Sequence, residues 1–521
     1  MTPFQELRFW LRRAPAGERT AAAVAVSLVV AVLVWVLVPA TASTPNTLAT
    51  DPGETSTTGA TTGALPTAPA TGPAPGASVA APGSSGGKAG TSGATSTTGG
   101  ATTGTTSGST TTSTGGGRRT CPAGAATGVS DRRIKIAVLL VSLAGPVGNS
   151  LFGVASPADQ QKFYEAAIAE LNGKGGAGCR QLQAQFFEGN PADQSSLRQL
   201  CLDVADAGVF AVLDAGAYAQ YPLVECYAQH KLPYFGSYLL SASQQRQYYP
   251  YLFDFNVMDN VYHDAVFGLK GRGFFTSAKG FTKLGFIYRS CDGPLIAKFK
   301  TWLGQAGVSS SQLVTYDVGC PSALASPSDL QQAVLKFKGA GVTNVTTAAF
   351  LGDFANFTKY AQQQGFRPRY GLADDSVIAL SYGTQRPDPD NLNGAIAIAP
   401  NRDGEERTPG SVPTAGTARC DAALKKQGLA PTYASPAGAG NACNNVWMFA
   451  ASVDHATLLR GDYLAAGLQA SKSVDFSYPE GPSDFARPRL TTGGQFWRAT
   501  QFHRSCSCWQ LLERPFHPTF S

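Results

Sequence analysis

The sequence lacks the motifs by which common hydrolases, zinc proteases and nucleotide-binding enzymes are recognised. Beyond residue 120 it contains no Gly-x-Ser-x-Gly elbow, and the whole chain contains neither His-Glu-x-x-His nor a Gly-x-x-x-x-Gly-Lys-Ser/Thr phosphate loop. Its five histidines are scattered, and no pair of carboxylates stands out as an acid and a base. We therefore expect no enzyme and no cofactor.

Zinc-type cysteine spacing and a strong net charge are also missing. No Cys-x-x-Cys pair occurs, and Cys506-Ser507-Cys508 is isolated, so we expect no metal site. The ten cysteines begin only at Cys121, and their even number favours disulfide pairing outside the cytoplasm. The net charge of +6 is small for 521 residues and indicates no nucleic-acid partner.

One long apolar run, AAAVAVSLVVAVLVWVLV at residues 21–38, lies near the N-terminus. As a helix it would be roughly 27 Å long, close to the thickness of a bilayer's hydrocarbon. Four arginines precede it and few charges follow, so residues 1–40 are predicted to hold a cytoplasmic N-terminus and a transmembrane anchor. A signal peptide cleaved after Ala40-Thr41-Ala42 is the alternative. Both interpretations place the rest of the chain outside the cytoplasm.

Residues 41–120 have almost no large apolar side chains and consist mainly of Thr, Gly, Ser, Ala and Pro. Such a composition cannot bury enough apolar surface to offset the entropy of ordering, so a disordered linker is predicted. A coil of this length has an end-to-end distance on the order of 50 Å.

From Cys121 onward, short apolar runs alternate with helical patterns. This alternation predicts an α/β fold with parallel sheets covered by helices, in two successive runs. A long helix is predicted at 444–461. The predicted strands are 134–142, 181–188, 209–215, 232–238, 283–289, 312–318, one within 342–352, 369–374 and 393–400.

The glycine-rich stretch LNGKGGAG, residues 171–178, looks at first like a phosphate cradle. It follows a predicted helix that starts at Ser156-Pro157, whereas a phosphate cradle precedes a helix. We expect its glycines to form a left-handed helix C-cap and a short turn into the second strand.

The order of AGPVGN, a helix ending in AELNGKGGAG and a strand resembles solute-binding proteins of the branched-chain amino-acid (leucine/isoleucine/valine-binding) type. The resemblance covers roughly residues 130–515. It implies the type 1 periplasmic binding protein fold, with two Rossmann-like lobes joined by a multi-strand hinge and closing on a small ligand. On this basis residues 121–256 and 400–482 are assigned to lobe 1, and 257–399 and 483–521 to lobe 2.

Ligands of open α/β sheets bind beyond the C-terminal ends of the strands. The resemblance implies that Gly236 and Ser237 grip a carboxylate, and that Asp374 meets an ammonium. Aromatic residues at the same ends suit a ligand with an apolar or aromatic body. The predicted ligand-binding residues are Phe152, Gly216, Ala217, Tyr218, Gly236, Ser237, Tyr238, Asp292, Phe350 and Asp374.

The order of the predicted elements also predicts disulfide bonds, since cysteines on neighbouring helices or strands come close. Cys506 and Cys508 receive no assignment. The predicted pairs are Cys201 with Cys226, Cys291 with Cys320, Cys420 with Cys443, and Cys121 with Cys179.

Together these features predict an extracytoplasmic protein that captures an amino acid, or a related amide or aromatic compound, for an ABC permease. The alternative function is that of a ligand sensor or surface-interaction module with the same fold. The loop Ala215–Tyr218 lacks the Ser or Thr usual in the family, so a scaffold that has lost the pocket is a third alternative.

Overall fold

The computed structural model describes the part of the chain that begins at Cys121, which excludes the apolar run at 21–38 and the linker. Within this part, no helix is both long and apolar enough to cross a membrane. The described residues are 121–520 except 144–147, 151–152, 192, 215–220, 237–239, 321–324, 349–350, 374–385, 403–404, 406–410, 432–436, 488 and 490.

Strands and helices alternate along the described chain as the sequence predicts. The strands are β1 (Arg133–Val141), β2 (Gln181–Gly189), β3 (Ala211–Asp214), β4 (Tyr234–Phe235), β5 (Leu252–Phe253), β6 (Leu284–Tyr288), β7 (Leu313–Asp317), β8 (Asn344–Ala348), β9 (Arg369–Ala373), β10 (Ile396–Ala399), β11 (Phe496–His503), β12 (Cys508–Leu511) and β13 (His517–Pro518). The helices are α1 (Pro157–Gly173), α2 (Gln194–Asp206), α3 (Tyr221–Gln229), α4 (Ala242–Tyr248), α5 (Met258–Gly271), α6 (Gly293–Gln305), α7 (Pro327–Gly339), α8 (Leu351–Gln363), α9 (Pro389–Leu392), α10 (Ala415–Lys426), α11 (Ala439–Asp454) and α12 (Leu464–Ser471).

The strands form two sheets whose first five strands share one topology. The first sheet has the order β2-β1-β3-β4-β5, and all its pairs are parallel. The second runs β12-β11-β10-β9-β8-β6-β7, with β11 and β12 added antiparallel and β13 paired to β11. In the first sheet the strand order reverses between β1 and β3, and in the second it reverses between β6 and β8. Such a switch point is where a crevice opens at the strand ends.

Helices cover both faces of the first sheet, as adjacent residues of β4 show. Neighbouring residues of a strand point to opposite faces. Tyr234 stacks on Tyr227 of α3, with ring centroids 5.5 Å apart. Phe235 meets Phe449 of α11 edge to face at 5.4 Å. Helices α3 and α11 therefore lie on opposite faces, and we call this sheet with α1–α4 and α10–α12 lobe 1.

The second sheet is covered in the same way. Phe286 of β6 stacks on Phe299 of α6 at 4.7 Å. Its neighbour Ile287 belongs to another apolar cluster, which contains Phe337 of α7 and Phe354 of α8. We call this sheet with α5–α9 lobe 2. The two lobes have the α/β layering that the sequence predicts.

The chain passes between the two lobes three times: after β5, after β10 and after α12. The passing segments contact one another through their backbones. The amide N–H of Asp254 donates to the carbonyl of Thr491 at 3.0 Å, and that of Arg402 donates to the carbonyl of Pro479 at 2.6 Å. These contacts join the passing segments at the place where the resemblance implies a hinge.

The stretch LNGKGGAG lies at the C-terminal end of α1, which confirms its predicted place. The N–H of Gly176 donates to the carbonyl of Leu171 at 3.0 Å and closes the last turn. Gly176 has φ +75°, and a Cβ there would lie 1.8 Å from the carbonyl oxygen of Arg180. Asn172 then joins the helix end to β2, with hydrogen bonds of 3.0 and 2.8 Å to the backbone of Leu182. The glycines make this turn at the end of the sheet where β2 begins, opposite the C-terminal ends of the strands.

The long helix predicted at 444–461 is wrong at both ends, since α11 spans Ala439–Asp454. Contacts with distant residues end it early. The carboxylate of Asp454 accepts a hydrogen bond from the N–H of Gly178 at 2.6 Å. The N–H of Leu459 then donates to the carbonyl of Ala123 at 2.8 Å, which pulls the following segment out of helical geometry.

Five disulfide bonds pair all ten cysteines. Four of them are the pairs predicted from the sequence, with Cα–Cα distances between 5.0 and 6.3 Å. The fifth joins Cys506 to Cys508, which sequence reasoning left unassigned. It closes the turn between β11 and β12, where neither neighbouring strands nor neighbouring helices predict a partner.

Candidate ligand-binding site

The two switch points place the candidate site at the C-terminal ends of β1, β3, β6 and β8. Of the predicted ligand-binding residues, the structure describes Gly236 and Asp292. The others lie outside the described residues, and their ligand roles stay predictions. They are Phe152, Gly216, Ala217, Tyr218, Ser237, Tyr238, Phe350 and Asp374.

Two buried side-chain amides join the end of β1 to the start of α1. Gln160 accepts from the N–H of Val141 at 2.8 Å and donates to its carbonyl at 2.9 Å. Asn149 donates to the same carbonyl at 2.8 Å, and both amides also donate to the carbonyl of Ala155. Buried backbone groups need such partners. The two amides thereby connect Val141, at the end of β1, to Ala155, just before α1. The sequence gives no sign of this role for either amide.

A buried carboxylate ends β3. Asp214 is fully buried, and the hydroxyl of Tyr234 donates to it at 2.5 Å. Burial raises the pKa of Tyr234 well above its usual range, and the charge of Asp214 raises it further. The phenol therefore stays protonated and keeps donating to the carboxylate. The pair fixes the ends of β3 and β4 against each other.

Gly236 directly follows β4 and has a structural reason to be glycine. Its φ is +105°, a conformation that other residues rarely adopt. A Cβ at this position would lie 2.5 Å from the side-chain oxygen of Asn445 on α11. The close approach of the Asn445 amide to this backbone is a feature that sequence reasoning missed. Three asparagines in the otherwise mainly apolar start of α11 were the available signal.

In lobe 2, Asp292 serves as the N-cap of α6. Its carboxylate accepts a hydrogen bond from the N–H of Leu295 at 3.0 Å. The adjacent disulfide between Cys291 and Cys320 joins the segments that follow β6 and β7. Asp292 therefore has a capping role at the cleft end of the sheet, and its predicted contact with a ligand stays a prediction.

An ion pair that sequence reasoning missed lies at the switch point of lobe 2. The Nε of Arg289, directly after β6, lies 2.7 Å from a carboxylate oxygen of Asp353 on α8. The other oxygen accepts from the N–H of Ala325 at 2.7 Å. The Asp353 side chain is fully buried and that of Arg289 is 15% exposed. A buried carboxylate with this many donors holds β6, α8 and the start of α7 in one arrangement.

The described part of the site has buried hydrogen-bonding groups at the switch point of each lobe. Among the described residues, no three His, Cys, Asp or Glu side chains come together as metal ligands. The described residues supply strand ends, helix starts and fixed polar groups, which are features suited to recognising a ligand.

The two sheets share one order in their first five, parallel strands, and three chain passages join them; these features define a two-lobed binding protein of the periplasmic binding protein type 1 fold. A family model described as "Periplasmic binding protein" matches residues 133–503, and the chain belongs to this family of solute-binding proteins. The fold places this domain outside the cytoplasm. No curated protein matches the chain by sequence.

Solved structures agree on the fold. An ABC transporter substrate-binding protein of Desulfitobacterium hafniense in complex with Leu has a TM-score of 0.51 and 17% identity, and covers 73% of this chain and 100% of its own. A branched-chain amino acid transporter substrate-binding protein of Streptococcus pneumoniae with isoleucine has a TM-score of 0.54 and 14% identity, covering 74% and 100%. A solute-binding protein of an ABC transporter from Rhodopseudomonas palustris, with 3,4-dihydroxybenzoic acid, has a TM-score of 0.52 and 14% identity, covering 75% and 98%.

Proposed function

We propose that the protein captures an amino acid, or a related amide or aromatic compound, between its two lobes and delivers it to an ABC permease. The observation that carries this proposal is the pair of equivalent switch points, one in each lobe, joined by three chain passages. A ligand between them contacts both lobes at once. Only such a ligand favours a closed arrangement over an open one.

The ligand class rests on the predicted residues and on the similar structures. Leucine, isoleucine and 3,4-dihydroxybenzoic acid are the ligands bound in the three structures described above. All three carry a carboxylate and an apolar or aromatic body. We propose that Gly236 and Ser237 receive the carboxylate, that Asp374 receives an ammonium where one is present, and that Tyr218, Tyr238 and Phe350 contact the body.

We further propose that the apolar run at 21–38 anchors the chain in the membrane and that residues 41–120 act as the tether. A tether on the order of 50 Å keeps the binding domain within reach of a permease. Protease protection in sealed vesicles tests the orientation: residues 121–521 should be cleaved from the extracytoplasmic side. A chain released entirely into the soluble fraction would show that the signal-peptide alternative is correct.

A thermal-shift screen of the purified full chain tests solute binding. The panel consists of amino acids, their amides and small aromatic acids. A ligand at a hundred times its Kd stabilises the folded state by about 2.7 kcal/mol, which is a clear rise in Tm. If no compound in the panel raises the Tm, the solute-binding proposal is wrong for these ligand classes.

Asp374→Ala tests the proposed ammonium contact, with Asp203→Ala as its matched control. Asp203 is an exposed carboxylate in the last turn of α2, away from the C-terminal ends of the strands. For a compound with an amino group, Asp374→Ala should abolish the rise in Tm while Asp203→Ala keeps it. A full rise in Asp374→Ala would show that another residue meets the ammonium.

A further inference from the structure

We propose that the end of lobe 2 where its parallel strands begin is a basic surface that docks onto a membrane containing anionic lipids. The basic surface consists of the loops that lead into β6, β7, β8 and β9 and of the helix ends beside them. This role lies beyond ligand capture, and it rests on the proposed membrane anchor only for keeping the membrane within reach. The exposed cations of the basic surface are Lys270, Lys279, Lys336, Lys338, Arg367 and Arg369.

The loops of the basic surface lie together because β6, β7, β8 and β9 are parallel neighbours, so their first residues share one end of the sheet. Hydrogen bonds join the loops directly. The Nζ of Lys338, in the last turn of α7, donates to the carbonyl of Gln364 in the loop before β9 at 2.5 Å. The guanidinium of Arg369, at the start of β9, donates to the carbonyl of Lys279 in the loop before β6 at 3.0 Å. The cations therefore belong to one continuous surface.

Negative charge is missing from this surface. Among the described residues, none of the six cations takes part in an ion pair. The carboxylates of the adjoining segments already have partners: Asp390 lies 2.7 Å from Arg504, and Glu513 lies 2.6 Å from Arg272. The positive charge of the surface is therefore available to an external anion. The segments without any Asp or Glu are 268–283, 303–312, 336–343 and 362–369.

Compensation of the helix dipole is the alternative explanation, because cations near a helix C-terminus stabilise it. It leaves two of the cations unexplained. Within the part of the chain that the structure describes, Lys336 and Arg367 donate to no backbone carbonyl. Lobe 1 also shows that helix ends do not by themselves produce such a surface, since α2 ends with the exposed carboxylates Asp203 and Asp206.

An exposed apolar side chain beside the cations favours a lipid surface over a soluble polyanion. Leu335 on α7 is 59% exposed and directly precedes Lys336. Lysine and arginine keep their charged groups in water while their aliphatic stems lie along apolar surface. Cations that meet lipid phosphates, together with an apolar side chain that reaches the acyl boundary, are the groups by which proteins bind a membrane interface.

The proposed anchor and tether bring such a surface to the membrane without a high intrinsic affinity. With residues 21–38 in the bilayer, residues 41–120 would hold the domain within a distance on the order of 50 Å. Tethering makes docking intramolecular, so weak contacts suffice to populate the docked state. Attraction between the cations and anionic lipids is also screened by salt, which gives a reversible interaction.

Energy transfer from the basic surface to the membrane tests the proposal. The full chain carrying Ser310→Cys is labelled with a fluorophore and reconstituted into vesicles with an acceptor dye in the outer leaflet. Ser310 is exposed in the loop before β7, and all native cysteines are paired. Replacing part of the phosphatidylcholine by phosphatidylglycerol should raise the ratio of docked to detached domains at least about tenfold. The rise should disappear in about 1 M salt, where the Debye length is about 3 Å.

A variant that neutralises half of the cations tests whether this surface is responsible. Lys336→Gln, Lys338→Gln and Arg367→Gln are combined in the labelled chain. On vesicles with phosphatidylglycerol the variant should lower the ratio of docked to detached domains roughly tenfold. Energy transfer equal to that of the unsubstituted labelled chain would overturn the proposal.

The matched control removes the same charge from exposed helix positions of lobe 1. It combines Arg198→Gln, Lys425→Gln and Lys426→Gln, and it should keep the full energy transfer. An equal loss in this control would show an effect of net charge and overturn the proposal. Binding of soluble polyphosphate with no response to phosphatidylglycerol would also overturn it, because the surface would then recognise a different partner.

Flotation of the full chain separates this proposal from the proposed anchor. A chain that does not float with vesicles of phosphatidylcholine alone has no anchor. The difference in flotation between vesicles with and without phosphatidylglycerol then decides the role of the basic surface. A difference that Lys336→Gln, Lys338→Gln and Arg367→Gln together abolish would support that role, and equal flotation with both kinds of vesicle would overturn it.

Discussion

Replacing Gly236 by alanine should destabilise lobe 1 more than a positive φ alone explains. Two costs add at this position. A residue with a Cβ in a left-handed conformation costs roughly 1–2 kcal/mol. The new methyl group would also lie 2.5 Å from the Asn445 side chain on α11, and forcing extra volume into a packed site costs roughly 1–3 kcal/mol. We therefore expect Gly236→Ala to lower the free energy of unfolding by about 2–5 kcal/mol.

Gly280→Ala is the matched control, because it isolates the first of these costs. Gly280 has φ +80°, and a Cβ there meets nothing within 4 Å. It should therefore cost only about 1–2 kcal/mol. Urea unfolding at equilibrium measures both variants, and a shift of the midpoint with an unchanged slope shows that stability alone has changed.

A double variant checks whether Asn445 is the source of the extra cost. Asn445→Ala removes the atoms that the new methyl group would meet. Gly236→Ala should therefore cost less in that background, with a coupling of about 1–3 kcal/mol. Equal destabilisation by Gly236→Ala and Gly280→Ala, together with a coupling of zero, would refute the steric reasoning.

Two disulfide bonds and the buried Asp264 give further predictions for the free energy of unfolding. The disulfide Cys121–Cys179 has a sequence separation of 58, so replacing both cysteines by serine should lower the free energy of unfolding in urea by about 4 kcal/mol. Replacing Cys506 and Cys508, whose separation is 2, should lower it by about 1 kcal/mol. Equal costs would contradict the loop-entropy account. Burial raises the pKa of Asp264 from 3.8 to about 7, against the opposing hydrogen bond from the N–H of Phe520. Its neutral form therefore stabilises the fold fully below pH about 4, and up to about 4 kcal/mol is lost as the pH rises through 7. Asp264→Asn should remove this dependence, and an identical pH profile in the variant would show that Asp264 is not its source.

The regular elements were predictable because their patterns are local. The apolar run of β1 and the Ser156-Pro157 start of α1 lie in the sequence itself, and the structure has both. The side chain of Ser156 accepts from the N–H of Asp159 at 3.1 Å, as a helix start requires. The glycine cluster at the end of α1 was equally readable, since only its position relative to helix and strand was needed.

The polar contacts around the candidate site were not predictable, because they join residues far apart in the sequence. Asn445 and Tyr164 are 281 positions apart. Arg289 and Asp353 are 64 apart. No periodicity or spacing indicates which buried polar residue will meet which strand end, because that depends on how the helices pack. The helix predicted at 444–461 fails for the same reason: contacts with the distant N-terminal segment end it.

Lobe closure on a ligand is the central claim, and a distance between the lobes measures it most directly. Leu202 on α2 and Leu335 on α7 are exposed, at 38% and 59%, and belong to different lobes. All ten native cysteines are paired, so single cysteines introduced at these two positions accept spin labels selectively. Double electron–electron resonance should show a change in the distance between the labels when a stabilising compound is added, because a ligand that contacts both lobes favours the closed form. Saturating binding by calorimetry with an unchanged distance distribution would contradict capture between closing lobes.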